Sequence, residues 1–287
     1  MKTQASLLFG LPLLYSLIAP AQDSVLLRRE LKSGEETKYA MTVVTKQTID
    51  AGSGDQEATV DGSMNVSYKI TGVNEAKGKA DIKATFSDIS LKFGGMAAMA
   101  EGMMGEMPKT FSVTAKMDKL GNVSESKVEG LSQQQMMLAG SSQSMAGISG
   151  VVFPEKPLKV GESWNMPISK NEMMGIDAST IKATLSGEKT IDGISTWEIE
   201  IAGKLPLKMD TSKMPQGADP TGGSVPATNM TMKGTYVIKS KAWVEKTSGK
   251  LIAMEGTADT DQTMDLVDMG MTVGVKGTIK TSLKLSK

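Results

Sequence analysis

Met271-Thr272-Val273-Gly274-Val275-Lys276-Gly277-Thr278-Ile279-Lys280-Thr281-Ser282-Leu283-Lys284-Leu285 alternates between apolar and polar side chains over almost its whole length. Successive strand residues point to opposite faces, so Met271, Val273, Val275, Ile279, Leu283 and Leu285 share one face, with Lys276, Lys280 and Lys284 on the other. At about 3.3 Å per residue such a strand reaches about 50 Å, far beyond the usual five or six residues. A strand of that length belongs to a strongly twisted or barrel-like sheet, and Gly274 and Gly277 are the natural places for it to curve. Its lysine face reads as solvated, and the chain has no aromatic girdle, which argues against an outer-membrane barrel.

The same period recurs upstream. Met64, Val66, Tyr68 and Ile70 share a face, as do Ala80, Ile82, Ala84 and Phe86. After Ser87-Asp88 the apolar set changes parity to Ile89, Leu91 and Phe93, which predicts a bulge or sharp bend. Trp197, Ile199, Ile201, Leu205 and Leu207 form a further face. Turn signals at 74–78, 118–121, 192–193 and 248–249 separate these runs. The expected fold is mainly β: antiparallel curved sheet or sheets, as a half-barrel or a sandwich of two packed sheets.

Two methionine-rich stretches break the alternation. On a helix, Met96, Met99, Met103 and Met107 fall within an arc of about 80°. Gly95, Gly102 and Gly105 weaken that helix, and Pro108 ends it. In the second stretch Ser132 and Gln135 make a capping box, and Leu131 faces Met136 as a staple. Met137, Leu138, Met145 and Ile148 then share one side of the predicted helix. Residues 214–228, with Pro215, Pro220 and Pro226, read as a long exposed loop.

Composition narrows the chemistry. In 287 residues, 32 basic side chains balance 32 acidic ones, leaving no footprint for nucleic acid. Cysteine and histidine are both absent, which removes disulfides, thiolate nucleophiles, Ser-His-Asp triads and the usual zinc sites. Residues 1–21 read as an export signal: Lys2, an apolar core over 7–18, and Ala19-Pro20-Ala21 as cleavage site. That core is too short to span a bilayer, and nothing later is apolar enough for a membrane helix. The expected location is the periplasm or exterior of a bacterial cell.

Leu31-Lys32-Ser33-Gly34-Glu35 is echoed by Leu158-Lys159-Val160-Gly161-Glu162, and Gly121 by Gly249 at a similar offset. The echo reads either as two β-rich halves, 22–150 and 151–287, or as a coincidence of common residue types. Leu31-Lys32-Ser33-Gly34-Glu35-Glu36-Thr37-Lys38-Tyr39, together with Phe153-Pro154-Glu155-Lys156-Pro157-Leu158-Lys159-Val160-Gly161-Glu162-Ser163-Trp164, resembles the two signposts of a family of secreted bacterial β-rich proteins classed as a domain of unknown function. The resemblance covers nearly the whole exported chain and implies architecture and export, without an activity. Pro154 and Pro157 would hold an extended linker, and Trp164 would anchor the following strand in the core.

Asp259, Asp261, Asp265 and Asp268 begin like a calcium loop, but Met264 occupies the turn-glycine position and Gly270 the bidentate glutamate position. They read as a solvated acidic turn. Glycosidase chemistry lacks the aromatics that line a sugar cleft. The 23 methionines carry three readings: core filling, an adaptable apolar binding surface, or a Cu(I) thioether site. The expectation is a non-catalytic exported protein, without cofactor, that binds lipid or another apolar ligand or serves an envelope role. Its candidate ligand residues are Met96, Met99, Met103, Met107, Met137 and Met145. The alternatives are a periplasmic Cu(I)-binding protein and a hydrolase.

Overall fold

The computed structural model describes residues 24–52, 54–98, 108–131, 150–170, 175–210 and 229–286. Its strands are β1 (Glu36–Asp50), β2 (Asp55–Asn74), β3 (Lys79–Gly95), β4 (Thr110–Asp118), β5 (Val123–Glu129), β6 (Ser163–Ile168), β7 (Ser179–Ile191), β8 (Ile194–Asp210), β9 (Met230–Glu245), β10 (Leu251–Leu266) and β11 (Met271–Leu285). They form one 11-stranded sheet in the order β5-β4-β3-β2-β1-β11-β10-β9-β8-β7-β6, with every neighbouring pair antiparallel. The first and last strands thus meet in mid-sheet, while β5 and β6 stay as separate edges. One sheet that curves without closing replaces the alternative of two packed sheets.

The curvature is fixed by what one face buries. Ile82 of β3, Val113 of β4, Leu185 of β7 and Ile199 of β8 belong to a single core, each at most 2% exposed, although β3 and β8 lie six places apart in the sheet. Only a sheet curled on itself brings these side chains together. Two extended segments fill the closed end. In one, Leu27 is buried; in the other, Val151, Phe153 and Leu158 are. Val25 and Leu158 exchange backbone hydrogen bonds of 2.6 and 2.9 Å, tying the segments to each other. The Arg29 amide donates to Lys119 O, the Glu30 amide to Ser248 O and the Phe153 amide to Leu120 O, tying both to the turns of the sheet. This end is here called the base.

The parity change in β3 is a bulge: Asp88 has φ +52°, and the β2–β3 register slips between Ser63 and Asn65. Gly277 sits where a Cβ would run into Lys46 O of β1, so the backbones approach there as only glycine allows. Gly274 meets nothing closer than 3.9 Å and is not such a point. The two echoed lead-ins make the same hydrogen bonds. Gly34 and Gly161, both left-handed, donate to Ile70 O and Leu185 O, and the Ile70 and Leu185 amides donate back to Glu35 O and Glu162 O.

Two expectations are corrected. Among the described residues no helix reaches seven residues; helix is confined to the three-residue turns Glu75–Lys77 and Val267–Met269, with residues 97 and 98 helical beside Met96. The methionine-bearing helices expected near 96–107 and 132–146 therefore have no support, and most of both stretches lies outside the described residues. The loop expected at 214–228 lies outside them too. The aspartates are not a turn: Asp259, Asp261 and Asp265 alternate along β10, where Thr278 donates to Asp259 and Thr272 to Asp265. Only Asp268 falls in a turn, accepting from the Asn229 amide.

Trp164 packs against the core from β6 while remaining half-buried, and its Nε1 donates to Val152 O at 2.8 Å. It clamps the 150–158 segment to the edge strand. Trp164→Ala should lower stability by about 3 kcal/mol, near the bottom of the range for a large aromatic because burial is incomplete. Denaturant unfolding checks this, and an unchanged midpoint would remove its anchoring role.

Candidate functional site

Paired residues on neighbouring strands share a face, so the register carries the core-bearing face across the sheet. Beginning next to the buried base, one rung runs Met64, Met41, Leu283, Met254, Ala242, Ile199. The next is Leu91, Gly62, Val43, Thr281, Gly256, Ser240, Ile201. Then come Phe93, Val60, Thr45, Ile279, Ala258, Ile238, Gly203, and after them Ala58, Gln47, Gly277, Thr260, Tyr236, Leu205. Further out, Ile49, Val275, Gln262, Gly234 and Leu207 precede Val273, Met264, Met232 and Met209. From Met254 to Leu266 this face runs about 40 Å along β10, at about 3.3 Å per residue.

None of the residues on these rungs is Lys, Arg, Asp or Glu. The charges sit on the opposite face, where Lys276 pairs with Asp261, Lys284 with Glu255, and Lys241 with both Glu198 and Glu200. Burial opposes ionisation of Glu198, but hydrogen bonds from Lys241 and Trp243 still hold its carboxyl below the usual range. The outward face is thus built for water. Inward, Val43, Val60, Ile89, Leu91, Phe93, Ile238 and Ile279 remain only half-buried, in contrast to the filled base. Few polar groups interrupt this surface, and Gln262 Nε2 donates to Thr260 Oγ1 within it at 2.5 Å.

Every methionine of the strands points inward: Met41, Met64, Met117, Met166, Met209, Met230, Met232, Met254, Met264 and Met271. Unbranched thioether side chains change shape at low cost, so this lining can follow an irregular apolar guest. Of the residues singled out by sequence, Met96 lies just past β3, its amide donating to Glu57 O at 2.9 Å. Met99, Met103, Met107, Met137 and Met145 lie outside the described residues. The structure therefore brings together a different methionine set. Its signal was period two: Met230 with Met232, and Met264 in phase with Ala258, Thr260 and Gln262.

The base has its own chemistry. Arg29 is 7% exposed, with its guanidinium 5.5 Å from the centre of the Phe153 ring. Burial lowers its pKa, while Tyr68, Tyr39 and Asp118 act in the opposite direction. Tyr39 OH donates to Leu251 O at 3.0 Å and Tyr68 OH to Met117 Sδ at 3.1 Å. Burial raises both phenols, Tyr68 to about 12, with Arg29 opposing. Arg29, both tyrosines, Thr37 and Lys250 line a cavity of about 30 Å³, room for water only. A second hollow, of about 480 Å³, lies beside edge strand β6 between Leu120, Phe153, Pro154, Trp164 and Pro167.

No protein-family model matches the chain, and no curated protein matches it. Solved structures similar to it include a lipovitellin described for its lipid–protein interactions, at 10% identity and TM-score 0.47, covering 90% of this chain and 26% of that one. The chain therefore spans about a quarter of lipovitellin's length. DynF from the dynemicin biosynthesis pathway of Micromonospora chersina matches at 8% identity and TM-score 0.26, over 98% of this chain and 95% of that one. A DUF1329 family protein from Desulfovibrio piger matches at 10% identity and TM-score 0.20, over 89% and 88%. At such values these are neighbours in coordinates and nothing more. Among the described residues, no helix is long and apolar enough to cross a membrane, and no group of three or more acidic side chains is placed to hold a metal ion.

Proposed function

We propose that this protein is an exported, non-catalytic carrier or receptor that holds an apolar ligand of the lipid class on the inner face of its curved sheet. One observation supports this above the others: about 40 Å of concave surface is free of charged side chains and lined by methionine and aliphatic groups, of which Val43, Val60, Leu91, Phe93, Ile238 and Ile279 are only half-buried, while the outward face takes the ion pairs. Lining of this kind removes apolar area from water at about 25 cal/mol per Å², and the few amide and hydroxyl groups suit the polar end of such a ligand. A hydrolase has less support, since the inner face offers hydroxyls and amides with no general base on the same rungs.

The test uses a neutral fluorescent naphthylamine probe and a C16 fatty acid. Ala258→Glu places a carboxylate in mid-trough, and Thr257→Glu places one at the next residue on the outward face. Binding should weaken at least tenfold in the first, about 1.4 kcal/mol, and stay unchanged in the second. Equal effects in both variants, or no binding by the wild type, would overturn the reading. Export is checked separately: material recovered outside the cytoplasm should begin at Gln22.

A further inference from the structure

At the far end of the trough the register puts three thioethers side by side. Met209 of β8 pairs with Met232 of β9, and Met232 with Met264 of β10, so all three occupy one rung of three adjacent strands. Met230 and Met271 stand on the next rung out, on either side of Leu266. Directly opposed residues have Cβ atoms about 5 Å apart, and on a concave face the side-chain tips converge further. A methionine side chain has three rotatable bonds, enough for two flanking sulfurs to lean toward a central one. All three methionines are half-buried, so they are neither consumed by the core nor fully in water.

The surroundings select the kind of ion. Thioethers are neutral, soft donors, and the carboxylates that adjoin them along these strands, Asp210 and Asp265, lie one residue along on the opposite face, with Asp265 accepting from Thr272. A hard divalent cation would find no anionic oxygen on this rung. A soft monovalent d10 ion needs none, and three sulfurs satisfy its trigonal preference. We propose that Met209, Met232 and Met264 form a thioether site for Cu(I), for which Ag(I) serves as a redox-inert probe. The site is at the outer end of the trough, away from Ala258, and does not depend on the apolar-ligand reading.

Ag(I) is titrated into the full exported chain labelled with ¹³C-methyl methionine, and Cu(I) is titrated under anaerobic ascorbate against a chromophoric Cu(I) chelator. One equivalent of Ag(I) should shift a small set of methyl resonances that Met209→Leu, Met232→Leu and Met264→Leu assign to this rung. Met232→Leu alone should weaken binding at least tenfold, and the triple leucine variant should abolish it. Met41→Leu with Met64→Leu, at the base end, should leave it unchanged. Leucine preserves apolar volume, so an unaltered circular dichroism spectrum and an unchanged urea-unfolding midpoint in the triple variant separate loss of the metal site from loss of fold. No Ag(I) binding by the native chain, or undiminished binding by the triple variant, overturns the assignment.

Discussion

Raising the pH from 10 to 12 should strip stability at up to about 2.7 kcal/mol per pH unit, about 1.4 for each of two buried phenols. Tyr39 and Tyr68 are 5% and 8% exposed, and burial raises the pKa of both, that of Tyr68 to about 12, with Arg29 pulling the other way. In the unfolded chain both phenols ionise near pH ~10. Above that pH the unfolded state has released protons that the folded state keeps, so unfolding is favoured as pH rises. The contribution is therefore complete below pH ~10 and is lost on approach to the folded values. Urea unfolding at intervals from pH 9 to 12 reads the slope. Tyr39→Phe with Tyr68→Phe should lose about 1 kcal/mol per hydroxyl hydrogen bond at neutral pH and flatten the alkaline slope. A slope equally steep in the double variant would assign it elsewhere.

The β architecture was legible because alternation depends only on local order. β11 spans Met271–Leu285, as its alternation predicts, and the parity change at Ser87-Asp88 marks the bulge that re-aims Ile89, Leu91 and Phe93 inward. β9 was not legible: Gly234 and Ser240 interrupt its inner face, while Val237 and Trp243 lie on its outer one, so the apolar period is blurred. β10 is hard to read for a related reason. Its aspartates at 259, 261 and 265 look like an acidic turn, although their spacing of two and four residues is that of a strand's wet face. The methionine rung was out of reach because it depends on pairing between residues 209, 232 and 264, and register between strands is set by the whole sheet. Nor does any local pattern before β1 announce that Arg29 will be buried beneath two tyrosines. That arrangement exists only once the 24–31 and 150–158 segments cross the base.

Those crossing segments should control stability without controlling the ligand, and Phe153 is the place to separate the two. It is 2% exposed, its amide is held by Leu120 O at 2.8 Å, its ring lies under the Arg29 guanidinium, and its Cε2 would lie 3.1 Å from a Cβ on Gly249. Phe153→Ala should cost about 4 kcal/mol, combining lost burial, the cavity left between the two segments, and a buried guanidinium deprived of its aromatic face. Phe153→Leu fills most of that space and should cost about half as much. The rungs from Gly62 and Val43 outward, which carry the half-buried Val43, Val60, Leu91, Phe93, Ile238 and Ile279, lie beyond the Met64–Met41 rung, on the side away from the base. Naphthylamine affinity, measured well below each variant's unfolding transition, should therefore stay within about twofold of wild type, a difference of about 0.4 kcal/mol. A loss of affinity that tracks the loss of stability would mean that the base sets the curvature of the whole trough, and that plug and binding surface form one cooperative unit.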